Sequence, residues 1–140
     1  MIDLIPWDEC TRKFIRKVEI DYPKITSVIE TAKARHEFIQ EKMITEKNVS
    51  FIFDGYYEVI KELLIALMLK KGLRSQNHQC LFSFFAKEYQ YDAELAIIKQ
   101  MNYLRNRLDY YGEKIELSYF TGNHNTFEKI IRLLLKLLRK

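Results

Sequence analysis

The sequence predicts an all-α protein, an antiparallel (up-and-down) helical bundle of four to five helices. Glycine and proline are scarce, with four and two respectively in 140 residues, so few positions interrupt a helix. Apolar residues also recur at steps of three and four along most of the chain, which is the spacing of an amphipathic helix. The length suffices for one sizeable core. We therefore assign residues 1–140 to a single domain, with a short N-terminal segment at 1–22 and the main bundle at 23–140.

The periodicity and the capping residues together predict where the helices begin and end. The predicted helices cover about 23–46, 51 or 55–71, 78–89, 93 to Gly112 or beyond, and 125–140, with a polar break at 121–125. A further short helix, capped by Asp8, precedes them and carries Phe14 and Ile15. The boundary residues are Asp21 or Tyr22 and Ser75 or Asn77 as N-caps and Gly72 at a C-terminal end, while Gly112 either bends or ends the fourth helix.

Strand signals are weak, and only the runs 49–53 and 114–120 are ambiguous between helix and strand. Along the first long helix an apolar stripe runs from Ile25 to Met43 and includes His36. A single histidine on such a stripe is more often a packed residue than a ligand. We therefore expect His36 to be structural.

Composition and charge exclude several classes of protein. The net charge of +4 permits phosphate-bearing partners but does not require them, because 19 acidic residues are interspersed. Cys10 and Cys80 lie far apart, and the chain has no C-x-x-C, H-E-x-x-H or Cys/His cluster. The sequence thus predicts no metal site and no cofactor. Two free thiols are expected, which suits a reducing compartment.

Nothing in the sequence indicates a membrane protein. The most apolar window, 59–69, contains Lys61 and Glu62 and is shorter than the roughly 20 residues that a spanning helix needs. The N-terminal run MIDLIPWDEC carries an acid at Asp3 and has no long apolar core, so it does not resemble a signal peptide. We expect a cytoplasmic protein without a membrane partner.

The fourth helix has two faces that both need a partner. Its apolar seam consists of Ile97, Met101, Leu104, Leu108, Tyr111 and Ile115. Its polar stripe consists of Asn102, Arg105, Asn106, Asp109 and Glu113, which fall within an arc of about 100°. The stripe is either a ligand-binding face or an ordinary solvated face with an Arg105–Asp109 ion pair. Because a bundle of this size covers only one face of the helix well, we predict a homodimer.

Three sequence segments occur in a fixed order that resembles a known family. They are GYYEVIKELLIALMLKKG at 55–72, LRSQNHQCLFSFF at 73–85 and LRNRLDYYG at 104–112. This succession resembles the HEPN family, the small all-α domain of prokaryotic defence systems, whose signature is Arg-Asn inside the fourth helix. The resemblance implies a homodimeric helical bundle. It also implies metal-independent ribonuclease chemistry, in which an arginine is followed by four to six residues and then a histidine, and two such motifs share the dimer cleft.

The resemblance places individual residues, and it also shows where the chain departs from the family. Arg105 and Asn106 match the signature, Glu62 matches a frequent acidic position, and His78 matches a histidine that looks structural. Tyr110, Tyr111 and Gly112 occupy the positions allowed for the catalytic histidine. An imidazole with a pKa near 6.5 serves as acid or base at neutral pH, whereas a phenol with a pKa near 10 is a poor base there. Phosphate binding is therefore expected to survive without the usual acid–base group.

Three functions follow from these residues. The first is binding of nucleotide or RNA at a dimer cleft with weak or absent nuclease activity, by Arg105 and Asn106 with Asn102 and Asp109 beside them. The alternative is an active, toxin-like endoribonuclease that needs no metal. It would use Arg105 and Asn106 with Tyr110 or Tyr111 and Glu62, and a separately encoded nucleotidyltransferase antitoxin would control it. The third is a purely structural dimerising bundle.

Overall fold

The computed structural model describes residues 3–140, so the first two residues of the predicted N-terminal segment lie outside it. Within the described range the chain is all-α apart from one small sheet, which confirms the predicted class. It has six helices rather than four to five: α1 (Trp7–Lys13), α2 (Tyr22–Gln40), α3 (Val49–Lys70), α4 (His78–Glu88), α5 (Asp92–Tyr111) and α6 (Leu117–Leu138). Two short strands, β1 (Ile15–Lys17) and β2 (Leu73–Ser75), pair antiparallel.

The central element is α3. Fourteen of its 22 residues are buried, so it is covered on nearly all sides, as expected for a helix that is apolar all round. It contacts α2, α4, α5 and α6. A Cβ atom at Gly55 would lie 2.8 Å from Cγ2 of Ile39, so the absence of a side chain at Gly55 allows α2 and α3 to pack closely. The core of the domain is therefore built around α3.

Contacts at two levels give the directions of the neighbouring helices. Ile39 of α2 lies against Gly55, and Arg35 bonds Glu62 at 2.8 Å about two turns further along α3. The two helices therefore run antiparallel. Between α3 and α6, Tyr56 contacts His124, and Lys70 Nζ donates to the carbonyl of Leu138 at 2.6 Å. Hence α6 runs parallel to α3, and the predicted up-and-down order of the bundle is wrong for this pair, because periodicity does not show the direction in which a distant helix returns.

Four of the predicted boundary residues have the local geometry expected at a helix end. The Asp21 side chain accepts from the backbone N–H of Lys24 at 3.1 Å, and the Asn77 side chain accepts from that of Cys80 at 3.2 Å. Gly72 and Gly112 have φ of +72° and +68°, in the left-handed region that favours glycine after a helix. Gly112 ends α5 instead of bending it.

Two long-helix boundaries differ from the prediction. Helix α2 ends at Gln40 rather than near residue 46, so Met43 lies in the following loop and is 83% exposed. Asn48 closes this loop by donating to the Met43 carbonyl at 2.8 Å and accepting from the backbone N–H of Thr45 at 2.8 Å. Such side-chain bonds to the backbone compete with helix formation. The predicted polar break at 121–125 is wrong as well, because these residues continue α6 without interruption.

The N-terminal region also departs from the prediction. Asp8 lies inside α1 instead of capping it, and Ile15 belongs to β1. The sheet is formed by residues 15–17 and 73–75, whereas the ambiguous run 49–53 is helical. Three-residue strands are too short for an alternating pattern to show in the sequence, and their pairing joins distant parts of the chain.

The two cysteines are joined in a disulfide, which corrects the prediction of free thiols. Cys10 and Cys80 are both fully buried, and their Cα atoms are 5.6 Å apart across a sequence separation of 70 residues. The pairing depends on α1 packing against α4, which no local sequence signal indicates. It removes the free-thiol argument for a reducing compartment. Among residues 3–140, none of the helices has the length and apolar composition needed to cross a bilayer.

Candidate functional site

Helix α5 contacts α3 with residues of its polar stripe, beside a buried residue of its apolar seam. The buried residues of α5 are Leu95, Ile98, Met101 and Asn102. Of the predicted seam, Met101 and Ile115 are buried, Ile97, Leu104 and Leu108 are half-buried, and Tyr111 is 71% exposed. Asn102 of the polar stripe is also buried, and it donates to the Tyr57 hydroxyl of α3. The interface between α3 and α5 is therefore where the predicted site residues meet the core.

Arg105 lies at the edge of this interface among three carboxylates. Its Nε is 2.9 Å from Asp109 Oδ2 and 3.4 Å from Asp54 Oδ1, and its Nη2 is 3.4 Å from Glu58 Oε1. The guanidinium also lies over the ring of Tyr57, 5.6 Å from the centroid. With 22% of its side chain exposed, Arg105 is oriented by two helices and still reaches solvent.

Behind Arg105, a chain of hydrogen bonds runs into the core. The hydroxyl of Tyr57 accepts from Asn102 Nδ2 at 2.8 Å and lies 3.0 Å from His78 Nδ1. The hydroxyl thus hydrogen-bonds both side chains, and the tautomer of His78 decides whether it donates to Nδ1 or accepts from it. Gln79 Nε2 is 3.4 Å from Asn102 Oδ1. These groups connect the beginning of α4 with the middle of α3 and α5.

The environment fixes the protonation states of these groups. Burial lowers the pKa of His78, and the nearby positive charges of Lys61 and Arg105 lower it further. Burial raises the pKa of the Tyr57 hydroxyl to about 12. Burial also raises the pKa of Asp54, and this effect outweighs the attraction of Arg105. At neutral pH, His78 is therefore neutral and Tyr57 keeps its proton.

We call these residues the Arg105 cluster: Asp54, Tyr57, Glu58, Lys61, His78, Asn102, Arg105 and Asp109. Glu58 bonds Lys61 at 2.7 Å as well as Arg105. Three carboxylates thus face two cations, which leaves one carboxylate in excess. Shifted pKa values and unbalanced charge at a partly exposed position are typical of functional sites.

The remaining predicted site residues lie at or beyond this cluster. Asn106 is half-buried next to Arg105, and Tyr110 and Tyr111 are 75% and 71% exposed at the end of α5. Glu62 bonds Arg35 of α2 at 2.8 Å. The structure therefore brings together Asn102, Arg105 and Asp109, and within one chain it ties Glu62 to α2 instead of to Arg105.

Sequence reasoning missed the residues that α3 contributes. Asp54 and Glu58 are one helical turn apart on an otherwise apolar helix, and Tyr57 lies between them. Acidic residues within a buried apolar helix need a partner, so this spacing is the signal that could have revealed them.

A second polar cluster, the Glu128 cluster, lies between α2, α3 and α6. It consists of His36, Gln40, Tyr56, His124 and Glu128. Glu128 Oε1 is 2.9 Å from His36 Nε2 and accepts from Gln40 Nε2 at 3.2 Å. Its Oε2 accepts from the Tyr56 hydroxyl at 2.5 Å, and that hydroxyl lies 2.8 Å from His124 Nε2. His36 is thus a packed residue that joins two helices, as expected.

In comparisons with known proteins, no family model, no curated protein and no solved structure matches this chain. The resemblance to the HEPN family therefore depends on the three sequence segments alone.

Proposed function

We propose that this protein is a HEPN-like domain that binds nucleotide or RNA phosphate through Arg105, with weak or absent nuclease activity. The supporting observation is the state of Arg105 itself. Asp54, Glu58 and Asp109 hold its guanidinium at the edge of a buried network while it stays partly exposed. A side chain that is already ordered loses less conformational entropy when a ligand binds.

The proposed binding step exchanges one anion for another. Asp109 follows Arg105 by one helical turn and is 39% exposed, and Asp54 is 38% exposed. When a phosphate bonds the guanidinium in a bidentate fashion, Asp109 turns toward solvent, so the phosphate replaces one carboxylate beside Arg105. Asn106 supplies an amide donor on the same stripe, and the exposed rings of Tyr110 and Tyr111 supply faces on which a base stacks.

The weak or absent cleavage follows from the acid–base groups. Tyr110 and Tyr111 replace the histidine of the family motif, and a phenol is a poor base at neutral pH. His78 is the imidazole of the Arg105 cluster, but its Nδ1 is engaged by the Tyr57 hydroxyl. The alternative, a metal-independent ribonuclease controlled by a nucleotidyltransferase antitoxin, needs a base that reaches the 2′-hydroxyl of the RNA.

The homodimer is part of the same proposal. Ile97, Leu104 and Leu108 form a half-buried apolar line on α5, and Tyr103 beside them is exposed. A second copy of the chain covers such a line and brings two Arg105 residues to one cleft. Light scattering should then give twice the 16.9 kDa mass of one chain at micromolar concentration. A single-chain mass throughout that range would contradict this part of the proposal.

The decisive experiment is fluorescence anisotropy with a short labelled single-stranded RNA at low salt and with EDTA present. Arg105→Ala should weaken binding by about 5- to 100-fold, the usual effect of losing a charge-assisted hydrogen bond. Asp109→Asn should strengthen binding, because it removes the competing carboxylate. The matched control is Arg132→Ala, which removes an exposed arginine of α6 outside the cluster and should leave binding nearly unchanged.

Three results would contradict the proposal. Equal loss in Arg105→Ala and Arg132→Ala would mean that binding is non-specific attraction to a basic protein. A large fall in melting temperature with unchanged binding would make Arg105 a structural residue of a dimerising bundle. Cleavage of the RNA that disappears in Arg105→Ala would establish the ribonuclease alternative.

A further inference from the structure

A cavity of about 310 Å³ opens between the beginning of α2, the end of α3, β2 and the beginning of α4. We call it the α2–α4 cavity. Neither Arg105 nor Tyr57 lines it, so it is a separate site that shares only Lys61 and His78 with the Arg105 cluster. Its volume is at the lower end of the range for small-molecule pockets, about 300–1,000 Å³.

The lining combines an apolar floor with a cationic rim. Aliphatic and methionine side chains make up half of the lining residues, among them Val28, Ile65 and Leu81. Lys24, Lys61 and Arg74 supply three positive charges, and no carboxylate is among the lining residues. An apolar surface beside several cations fits a ligand that has an apolar body and a negatively charged group.

Two of the three cations have no partner that neutralises them. Lys61 bonds Glu58 at 2.7 Å. Among residues 3–140, no carboxylate oxygen lies within 4.0 Å of the charged side-chain nitrogens of Lys24 or Arg74. These two side chains are therefore available to an anion that enters the cavity.

The sheet supplies an independent indication of an anion. Arg74 of β2 lies directly opposite Arg16 of β1 in the antiparallel pair. Like charges in directly opposed positions destabilise a sheet. The two arginines also line an adjacent hollow together with Lys13. An anion bound at Arg74 reduces the repulsion between the two arginines and therefore stabilises the folded chain.

We propose that the α2–α4 cavity binds a small amphipathic anion, a compact apolar body with one carboxylate or phosphate group. The body lies on the floor, and the anionic group lies between Lys24 and Arg74. His78 adds a neutral imidazole to the wall, because its Nδ1 is bonded to Tyr57 and its Nε2 remains to contact the ligand.

The test uses octanoate and octyl phosphate as probes, with octanol and inorganic phosphate as matched controls that lack the charge or the apolar body. Binding is measured by the shift of the melting temperature and by perturbation of NMR signals from lining residues. Both amphipathic anions, or the one whose anionic group fits, should raise the melting temperature more than either control does. Whichever of the two binds tighter identifies the anionic group as carboxylate or phosphate.

Two variants test the residues. Arg74→Gln removes the repulsion with Arg16, so it should fold with an unchanged or higher melting temperature and bind the probe at least about tenfold more weakly. Lys24→Gln should weaken binding similarly, whereas Lys33→Gln, an exposed lysine on the same helix, should not. Equal shifts with octanol, equal shifts with inorganic phosphate, or full binding by Arg74→Gln and Lys24→Gln would overturn the proposal.

Discussion

Tyr56 and Tyr57 are neighbours on α3, and their side chains enter two different polar clusters. The hydroxyl of Tyr56 lies 2.8 Å from His124, and that of Tyr57 lies 3.0 Å from His78. Each hydroxyl also contacts one further polar side chain, Glu128 or Asn102. The same residue type with the same kind of partner thus occurs on two sides of one buried helix.

The two clusters differ in how completely their charges and hydrogen bonds are satisfied. Burial alone raises the pKa of Glu128, but hydrogen bonds from Tyr56 and His36 outweigh it, so the net pKa is lowered. The Arg105 cluster holds a guanidinium that is 22% exposed and whose contacts to Asp54 and Glu58 are both 3.4 Å long. A satisfied polar network rigidifies the contact between helices. On the proposed function, the Glu128 cluster is the structural contact and the Arg105 cluster is the binding site.

Reduction of the disulfide should have the largest effect on the stability of the fold, and its local effect should be concentrated near one of the two clusters. A cross-link that closes a loop of 70 residues stabilises the fold by about 4 kcal/mol in the chain-entropy model. Because Cys80 lies in the first turn of α4, reduction should increase hydrogen exchange around His78 more than around Glu128. The variant Cys10→Ala/Cys80→Ala should behave like the reduced protein. An unchanged melting temperature after verified reduction would contradict this prediction.

Removal of the Glu128 carboxylate should cost stability and leave RNA binding intact. Glu128→Ala leaves the donors of Tyr56, His36 and Gln40 without an acceptor, so unfolding free energy should fall by about 2–3 kcal/mol. The matched control is Glu62→Ala, whose partner Arg35 is exposed and whose loss should cost less than about 1 kcal/mol. Urea denaturation measures both. Weaker RNA binding by Glu128→Ala in its folded state would make the two clusters functionally equivalent.

Single hydroxyl deletions should separate the clusters most cleanly. Tyr56→Phe and Tyr57→Phe should each lower unfolding free energy by about 1–2 kcal/mol, because each leaves polar partners unpaired. Only Tyr57→Phe should also weaken RNA binding, since on the proposed function the Tyr57 hydroxyl holds Asn102 in place three residues before Arg105. Calorimetry and anisotropy on both variants test this. Identical RNA affinities would show that Tyr57 has no role in positioning Arg105.

The contributions of His78 and Glu128 to the stability of the fold should be lost in different pH ranges. The folded protein lowers the pKa of His78 below 6.5, so folding favours its neutral form. Its contribution is full above about pH 6.5 and decreases as the pH falls below that value. Glu128 has a folded pKa below 4.5, so its contribution is present above about pH 4.5 and is lost as the pH falls through the folded pKa. Urea denaturation at several pH values measures the unfolding free energy. In His78→Gln only the decline below about pH 6.5 should become shallower, and in Glu128→Gln only the decline below about pH 4.5.

The sequence predicted what depends on nearby residues. Asp21, Asn77, Gly72 and Gly112 act through their own backbone and the next few residues, so helix ends could be placed from local chemistry. Arg105 and Asp109 are one helical turn apart, so their ion pair was likewise predictable. These features need no knowledge of the tertiary fold.

What the sequence could not predict depends on long-range contacts. Asp54 meets Arg105 across 51 residues, and Cys10 meets Cys80 across 70. The partner of the polar stripe on α5 was unpredictable for the same reason, because periodicity shows that a helix has an apolar side without showing what the neighbouring helix presents. Asn102 and Arg105 of the stripe meet polar side chains of α3.

The N-terminal segment has a consequence for how the chain is made. Ser83 Oγ donates to the carbonyl of Ile5 at 2.5 Å, the N–H of Val18 donates to the carbonyl of Gly72 at 2.9 Å, and β1 pairs with β2. During synthesis, residues 3–18 therefore emerge from the ribosome well before their partners at 72–83. In that interval α2 and α3, which are neighbours along the chain, have each other to pack against. Residues 3–18 thus stay without these partners until residues 72–83 have been made.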